Sequence, residues 1–270
     1  MSPIITAFAQ GIKKSGVKPA EVCVPSDIPF EPDVVKKLGI DYFHTMRGRA
    51  IVFGTGLKLA NPALKVVPVV GDLMTLGGNH FVHAGRRNME LLIICVNNFV
   101  YKKIGGKSVP STSPVFSLYS TFEEPFNIPH LGNSCGAIYT ARWTALHTDE
   151  LAISIAEALN KRGLSVIEIL APGSDYYTGI NNIDPDIVKF YHENSEIKNN
   201  EDPRNVGITP EENIVVGKFT DKERPTFIDV YNAQLSKVIG DKFTPYGPMP
   251  TSPSGVGLGT GQNESGGKNG

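Results

Sequence analysis

Short apolar runs alternate with helical patterns between about residues 39 and 172. Two of these runs, Lys65 to Val70 and Glu90 to Val96, are apolar and bounded by polar residues. Runs of this length and composition are typical of strands that are buried on both faces of a sheet. Residues 77–87 lie between them and predict the crossover helix that two parallel strands need.

The same alternation continues further along the chain. A helix is predicted from Thr148, which is placed to cap it, and its Leu151, Ile155 and Leu159 recur every four residues. Gly163 is expected to end this unit before a strand from Ser165 to Leu170. We therefore predict an α/β fold, with a doubly wound and mostly parallel sheet that carries helices on both faces.

The chain is predicted to form one domain over residues 1–240. Within it, residues 45–60 are rich in Gly and Ala and predict a helix that neighbours can approach closely. Residues 173–221 are polar and interrupted by Pro and Asn, so we expect a surface excursion there. Residues 241–270 are rich in Gly, Ser and Pro and predict a flexible tail.

Composition excludes several classes of partner. Lys and Arg number 26 against 27 Asp and Glu, so no net charge is available to attract nucleic acid or an anionic membrane. No apolar run approaches the roughly 18 residues of a membrane span, and the first residues lack the order of a signal peptide. We expect a cytoplasmic protein whose three separated cysteines, Cys23, Cys95 and Cys135, are small buried hydrophobes.

Candidate chemistry lies where the two central predicted strands end. Gly71 and Asp72 follow the first strand, and Asn97 and Asn98 follow the second. Ligands of doubly wound sheets bind outside the carboxyl ends of the strands, where Asp72 and Asn98 would offer oxygen ligands to Mg²⁺. A helix beginning near Gly77 would favour a diphosphate at the same place. The alternative is that these side chains merely cap loops.

Several motifs, taken in order and spacing, resemble the β subunit of 2-oxoacid:ferredoxin oxidoreductases, with the 2-oxoglutarate type nearest. The similarity covers roughly Ile40 to Leu235. It is carried by the residues at 44–50, 54–62, 71–72, 77–84, 86–88, 97–98 with Tyr101, 124–127, 170–172 and 223–226.

This resemblance implies a thiamine-diphosphate-binding fold in which the chain holds the diphosphate and Mg²⁺. Asp72, the Asn98 side chain and the Val100 carbonyl would ligate the metal, and His44 would lie near the reactive centre as a catalytic and cofactor-binding residue. The cofactor site would also include Gly71, Leu73 and Tyr101. A separate α subunit would contribute the pyrimidine-binding half and the activating glutamate.

The resemblance also implies an enzyme that oxidatively decarboxylates a 2-oxoacid. The acyl group would pass to coenzyme A, and electrons would pass to ferredoxin through iron–sulfur clusters on other subunits. The family's cluster cysteines have little counterpart here: no CPGC motif occurs, Gly173 replaces one cysteine, and another would fall near residues 25–27. Four thiolates normally hold such a cluster, so we expect none to be held by this chain alone.

Other departures from the family cluster at the cofactor site. Leu73 replaces the last glycine of a Gly-Asp-Gly motif, Arg47 replaces a histidine, and Ile104 and Lys107 stand in a segment that usually carries threonine and glutamine. Three hypotheses stay open: an active oxidoreductase subunit, a non-catalytic scaffold subunit of a redox complex, and a non-oxidative thiamine-diphosphate-dependent 2-oxoacid decarboxylase.

Overall fold

A computed structural model describes residues 3–28, 30, 32–71, 73–97, 126–171, 187–208 and 213–247. Within these ranges, nine strands form one sheet in the order β2-β1-β4-β5-β7-β6-β9-β8, and β3 also pairs with β1. All the described pairings are parallel except that between β6 and β9. The strands are β1 (Val22–Ser26), β2 (Asp41–His44), β3 (Lys65–Val66), β4 (Val69–Val70), β5 (Leu92–Asn97), β6 (Tyr139–Thr144), β7 (Ser165–Leu170), β8 (Ser195–Ile197) and β9 (Ile214–Asp221).

Helices cover both faces of the sheet. On one face α1 and α6 pack on an apolar cluster that includes Phe8 and Ile155, and on the other α3, α4 and α5 pack on a cluster that includes Ile51, Phe81 and Ile128. The helices are α1 (Pro3–Ser15), α2 (Pro32–Leu38), α3 (Ala50–Ala60), α4 (Leu73–Arg87), α5 (Ile128–Cys135), α6 (Thr148–Asn160), α7 (Ile187–Glu193) and α8 (Phe227–Ile239). The predicted fold class is therefore confirmed. No helix in the described ranges is long and apolar enough to cross a membrane.

Strand predictions agree closely with the structure. The strand at 165–170 has the predicted bounds, and that predicted at 90–96 runs from Leu92 to Asn97. The run at 65–70 forms β3 and β4, which are separated at Val67 and Pro68. Pro68 has no N–H to donate, but its carbonyl still accepts from Ile94 N at 2.9 Å.

Helix boundaries account for three wrong predictions. Helix α3 begins at Ala50, not at Thr45, and α4 begins at Leu73 rather than near Gly77. Gly77 lies inside α4, in its second turn, and does not mark the start of the helix. Thr148 is the first residue of α6 and not its cap, a position that His147 occupies.

The structure describes parts of the predicted surface excursion and of the predicted flexible tail. Strand β9 lies within the predicted surface excursion at 173–221, yet it pairs with β6 and buries Ile214 and Val216. Tyr246 lies in the predicted flexible tail, yet its backbone N–H and C=O both bond the Asn232 side chain on α8, each at 2.9 Å. Residues 248–270 of that tail lie outside the described residues.

A buried ammonium group stabilises the side of the sheet where the strands have their amino ends. Lys58, near the end of α3, is 1% exposed and donates to the Pro62 carbonyl at 2.8 Å and the Leu64 carbonyl at 2.9 Å. It also donates to Glu90 Oε1 at 3.0 Å, just before β5. Burial lowers the pKa of Lys58, and the Glu90 carboxylate opposes that change. One side chain thus joins α3, the following loop and the start of β5.

Replacing Lys58 by Met should lower the free energy of unfolding by roughly 2–4 kcal/mol, because two carbonyls and a carboxylate lose their donor. Urea titration of the two proteins measures this difference. Lys65→Met is the matched control: Lys65 is more exposed and reaches the same Glu90 carboxylate only at 4.0 Å. Equal losses in both variants would contradict this role for Lys58.

Two histidines share one hydroxyl at the carboxyl end of β6. Thr144 Oγ1 lies 2.8 Å from His147 Nδ1 and 3.0 Å from His192 Nδ1, and the two rings are 4.3 Å apart. Burial lowers the pKa of His147, His192 lowers it further, and Glu150 opposes the change. The folded protein therefore resists protonation of His147.

We expect the protein to lose stability as the pH is lowered, because the pKa of folded His147 is depressed. The unfolded chain takes up a proton near the ordinary histidine pKa of about 6.5, whereas folded His147 takes it up only at lower pH, so stability present above that pH is progressively lost below it. The free energy of unfolding, measured from pH 7.5 to 5.5, should fall less steeply in His147→Gln than in the parent. The same substitution at His83, which is exposed, is the control and should leave the pH dependence as in the parent. An unchanged slope of unfolding free energy against pH in His147→Gln would refute the assignment.

Candidate functional site

The carboxyl ends of four neighbouring strands meet at one edge of the sheet. Ser26 at the end of β1 lies opposite His44 on β2 and Val69 on β4, and Val70 lies opposite Cys95 on β5. Because these strands are parallel, the residues that end or follow them lie along the same edge. These residues are His44, Asp27, Gly71 and Asn97.

A buried carboxylate joins two of these strand ends. Asp27 is 8% exposed, and its Oδ1 and Oδ2 accept from Gly71 N and Gly48 N, each at 2.9 Å. Burial raises the pKa of Asp27, while the two backbone hydrogen bonds and the nearby Arg47 and His44 oppose the rise. Asp27 therefore fixes both the turn after β4 and the loop after β2.

The loop after β2 rests against the first turns of α4. Gly48 has a φ of +68°, and a Cβ there would lie 2.5 Å from the Leu76 carbonyl oxygen. Any side chain at this position would be strained and would clash with backbone, so glycine is required. Arg49 adds a hydrogen bond from Nη1 to the same Leu76 carbonyl at 3.3 Å.

A small cavity opens between α4, α5 and the ends of β4 and β5. Asn97 contributes a polar side chain to its wall, and most of the other side chains are apolar. The residues that line it are Gly71, Leu73, Met74, Cys95, Asn97, Phe126 and Ile128.

Helix α4 begins beside this cavity at Leu73 and extends for 15 residues. The first four N–H groups of a helix have no acceptor within the helix, and the helix dipole adds partial positive charge at the same end. Such an end favours phosphate groups. The cavity therefore combines an anion-attracting helix terminus with a polar side chain from a neighbouring strand.

A chain of buried polar groups lies behind the cavity. Asn97 Nδ2 donates to Glu168 Oε1 at 2.9 Å, and Arg142 Nε donates to Glu168 Oε2 at 2.7 Å. Arg142 and Glu168 are both fully buried. Arg142 Nη1 also donates to the Gly207 carbonyl at 2.8 Å, which connects the network to the segment before β9.

The structure brings together some of the residues proposed from the sequence. Gly71 and Leu73 line the cavity, and Leu73, only 2% exposed, packs with the apolar cluster beneath α4. His44 is exposed at the same edge of the sheet, at the end of β2. Four other proposed residues, Asp72, Asn98, Val100 and Tyr101, lie outside the described residues, so their roles stay predictions.

Sequence reasoning missed Asp27, Glu168 and Arg142. A signal was present for each: Asp27 and Asp72 each stand one small residue beyond an apolar run, and the other two are charges of opposite sign inside buried strands. Their partnership depends on β7 lying beside both β5 and β6, which a single strand pattern does not specify. Among the described residues, no three His, Cys, Asp or Glu side chains are grouped to hold a metal ion.

Known proteins share both the sequence and the fold. Residues 34–169 match the family described as thiamine pyrophosphate enzyme, C-terminal TPP binding domain. The 2-oxoglutarate synthase subunit KorB of Methanothermobacter marburgensis is 37% identical over 84% of this chain and 82% of its own length. A 2-oxoacid:ferredoxin oxidoreductase subunit beta of Saccharolobus solfataricus is 33% identical over 74% of this chain and 66% of its own length.

A solved structure has the same fold. The 2-oxoglutarate:ferredoxin oxidoreductase from Magnetococcus marinus, with 2-oxoglutarate, coenzyme A and succinyl-CoA bound, superposes with a TM-score of 0.70 at 21% identity. The superposition covers 93% of this chain and 87% of that one. Together with the sequence matches, these findings establish that the chain belongs to the β-subunit family of 2-oxoacid:ferredoxin oxidoreductases, within the thiamine-pyrophosphate-binding enzymes.

Proposed function

We propose that this chain is the thiamine-diphosphate-binding subunit of an enzyme that oxidatively decarboxylates a 2-oxoacid. The acyl group would pass to coenzyme A, and the electrons would pass to ferredoxin through clusters on other subunits. The observation that carries the proposal is the cavity at the ends of β4 and β5, which the first turn of α4 borders. The names of the relatives make 2-oxoglutarate the first substrate to assay.

The start of α4 is the described feature that suits a diphosphate group. The start of α4 supplies backbone donors, and Asp27 holds the turn at Gly71 that leads into this helix. Leu73 buries its side chain with the core cluster, which accommodates the departure from the family's glycine. Thiamine diphosphate, when bound, supplies the electron sink that decarboxylation of a 2-oxoacid requires.

Magnesium would be held by residues that flank the cavity in sequence. Gly71 and Leu73, on either side of Asp72, line this cavity, as does Asn97 immediately before Asn98. We propose that Asp72, Asn98 and the Val100 carbonyl ligate Mg²⁺, since carboxylate, amide and carbonyl oxygens are the ligands that it prefers. Tyr101 would border the same cofactor site.

His44 is proposed to act on the substrate side of the cofactor. It is exposed at the carboxyl end of β2, and Arg47 follows in the loop that Asp27 anchors through Gly48. An imidazole there can act as a general acid or base, and Arg47 adds positive charge for an anionic substrate. An α subunit would complete the site with the pyrimidine-binding half and the activating glutamate.

A non-catalytic scaffold subunit is the second candidate, because Leu73 stands where a glycine lets backbone approach phosphate. Native mass spectrometry of the complex purified with its natural partners separates the two. Thiamine diphosphate bound in the complex supports the enzyme, whereas a complex that stays free of it at saturating cofactor supports the scaffold.

Replacing Asp72 by Ala should abolish retention of thiamine diphosphate, because Mg²⁺ would lose its charged protein ligand. The cofactor content of the purified complex, measured by chromatography after denaturation, tests this expectation. Asp33→Ala, an exposed change on α2, should retain full content. Full retention in Asp72→Ala would count decisively against the proposed metal site.

Replacing Asp27 by Asn should weaken the site and the fold together. The amide offers one acceptor where the carboxylate offers two, so one of the N–H groups of Gly48 and Gly71 loses its partner. We expect a loss of about 1–3 kcal/mol in the free energy of unfolding, together with weaker cofactor binding. Urea denaturation and cofactor titration measure the two effects, with exposed Asp41→Asn as the control. Parent-like values for Asp27→Asn would refute its anchoring role.

A further inference from the structure

The wall of the cavity is connected to a fully buried ion pair. Asn97, Glu168 and Arg142 lie on three adjacent strands, β5, β7 and β6, and Arg142 is paired in register with Glu168. Asn97 lines the cavity, whereas Arg142 and Glu168 are fully buried. We call these three side chains the buried polar chain.

The chemistry of the buried polar chain allows one orientation of the Asn97 amide. The guanidinium of Arg142 can only donate, and the paired carboxylate of Glu168 can only accept. Asn97 must therefore turn Nδ2 toward Glu168, at 2.9 Å, so that Oδ1 is not the atom that contacts the carboxylate. Strand β4 and the Gly71 wall of the cavity lie on the side of β5 opposite to β7.

Arg142 holds Glu168 in place from the other side. Besides its 2.7 Å contact with Glu168, it donates to the Gly207 carbonyl at 2.8 Å, and the carbonyls of Val206 and Val215 lie 3.4 Å from the same nitrogen. The carboxylate is thus fixed by a group that is itself bound to three backbone carbonyls. Burying a carboxylate with its cationic partner carries a large desolvation penalty. Stability alone therefore gives little reason for this ion pair.

We propose that Glu168 is a positioning residue that fixes the Asn97 amide with its oxygen toward the cofactor cavity. This inference rests on the proposed function. Water bound to Mg²⁺ donates hydrogen bonds, so an amide oxygen on this wall suits a hydrated cation and an NH₂ group does not. The ion pair thereby sets whether a donor or an acceptor borders the metal end of the site.

The test is Glu168→Gln in the full chain, purified with its natural partner subunits. The substituted amide keeps an oxygen for Arg142 and presents an NH₂ to Asn97, whose own amide must then reverse. We expect the dissociation constant for thiamine diphosphate, titrated at fixed Mg²⁺, to rise about tenfold, the equivalent of one good hydrogen bond. The Mg²⁺ concentration needed for half-maximal cofactor binding should rise in parallel.

A second change should restore binding. In Glu168→Gln combined with Asn97→Asp, the new carboxylate accepts from the glutamine amide with one oxygen and keeps the other for the cavity. The charge beside Arg142 is also conserved. We expect the dissociation constant to return to within about threefold of the parent value. Asn97→Asp alone places two carboxylates together, so this single variant should bind thiamine diphosphate more weakly than the double variant.

Ser154→Ala separates positioning from general destabilisation. It removes a buried 2.8 Å hydrogen bond from Trp143 Nε1, a contact on β6 outside the buried polar chain. This variant should unfold at a lower temperature and yet bind the cofactor like the parent. Similar loss of affinity in Ser154→Ala and Glu168→Gln would overturn the positioning role.

Asn97→Ala keeps the inference testable if Glu168→Gln does not fold. It deletes the amide but leaves the ion pair of Glu168 and Arg142 intact, so affinity should fall by a similar factor. Parent-like affinity in either variant would overturn the inference while the proposed function stands. A parent complex that binds no thiamine diphosphate would overturn the proposed function and this inference with it.

Discussion

The site depends on the two hydrogen bonds that the Asp27 carboxylate accepts from backbone N–H groups. One bond fixes the turn at Gly71 from which α4 starts, and the other fixes the loop at Gly48 that rests on α4. Both loops follow parallel strands whose carboxyl ends lie side by side. A small shift in either loop would therefore move the start of α4 relative to the cavity. One carboxylate therefore aligns three elements that contribute to the same site.

Buried charge is used at both edges of the sheet, with different consequences. Lys58 at the amino edge is satisfied by two carbonyls and Glu90, and it joins elements that lie away from the cavity. At the carboxyl edge, Glu168 and Arg142 are paired behind a side chain that lines the cavity. The first arrangement stabilises the fold, whereas the second restricts how a site residue is oriented.

The sequence was sufficient for elements whose identity depends on local pattern. The strand at 165–170 and the strand endings at Gly71 and Asn97 follow from apolar runs and the polar residues after them. It was insufficient where pairing between distant segments decides the outcome. Strand β9 has a short apolar run of its own, Ile214 to Val216, but it lies within a longer polar stretch, and its place in the sheet depends on antiparallel pairing with β6.

The same distinction explains which site residues were found. Candidates came from motifs that share a short stretch of chain, whereas Asp27 and Gly71 are 44 residues apart and Asn97 and Glu168 are 71 apart. Resemblance placed a family cysteine near residues 25–27, and there the structure has a carboxylate that accepts two backbone hydrogen bonds. Asp27 therefore holds the loops that follow β2 and β4 in one arrangement through the two hydrogen bonds that its carboxylate accepts. This alignment depends on a side chain that directly follows β1, so three strand ends are fixed relative to one another by one residue.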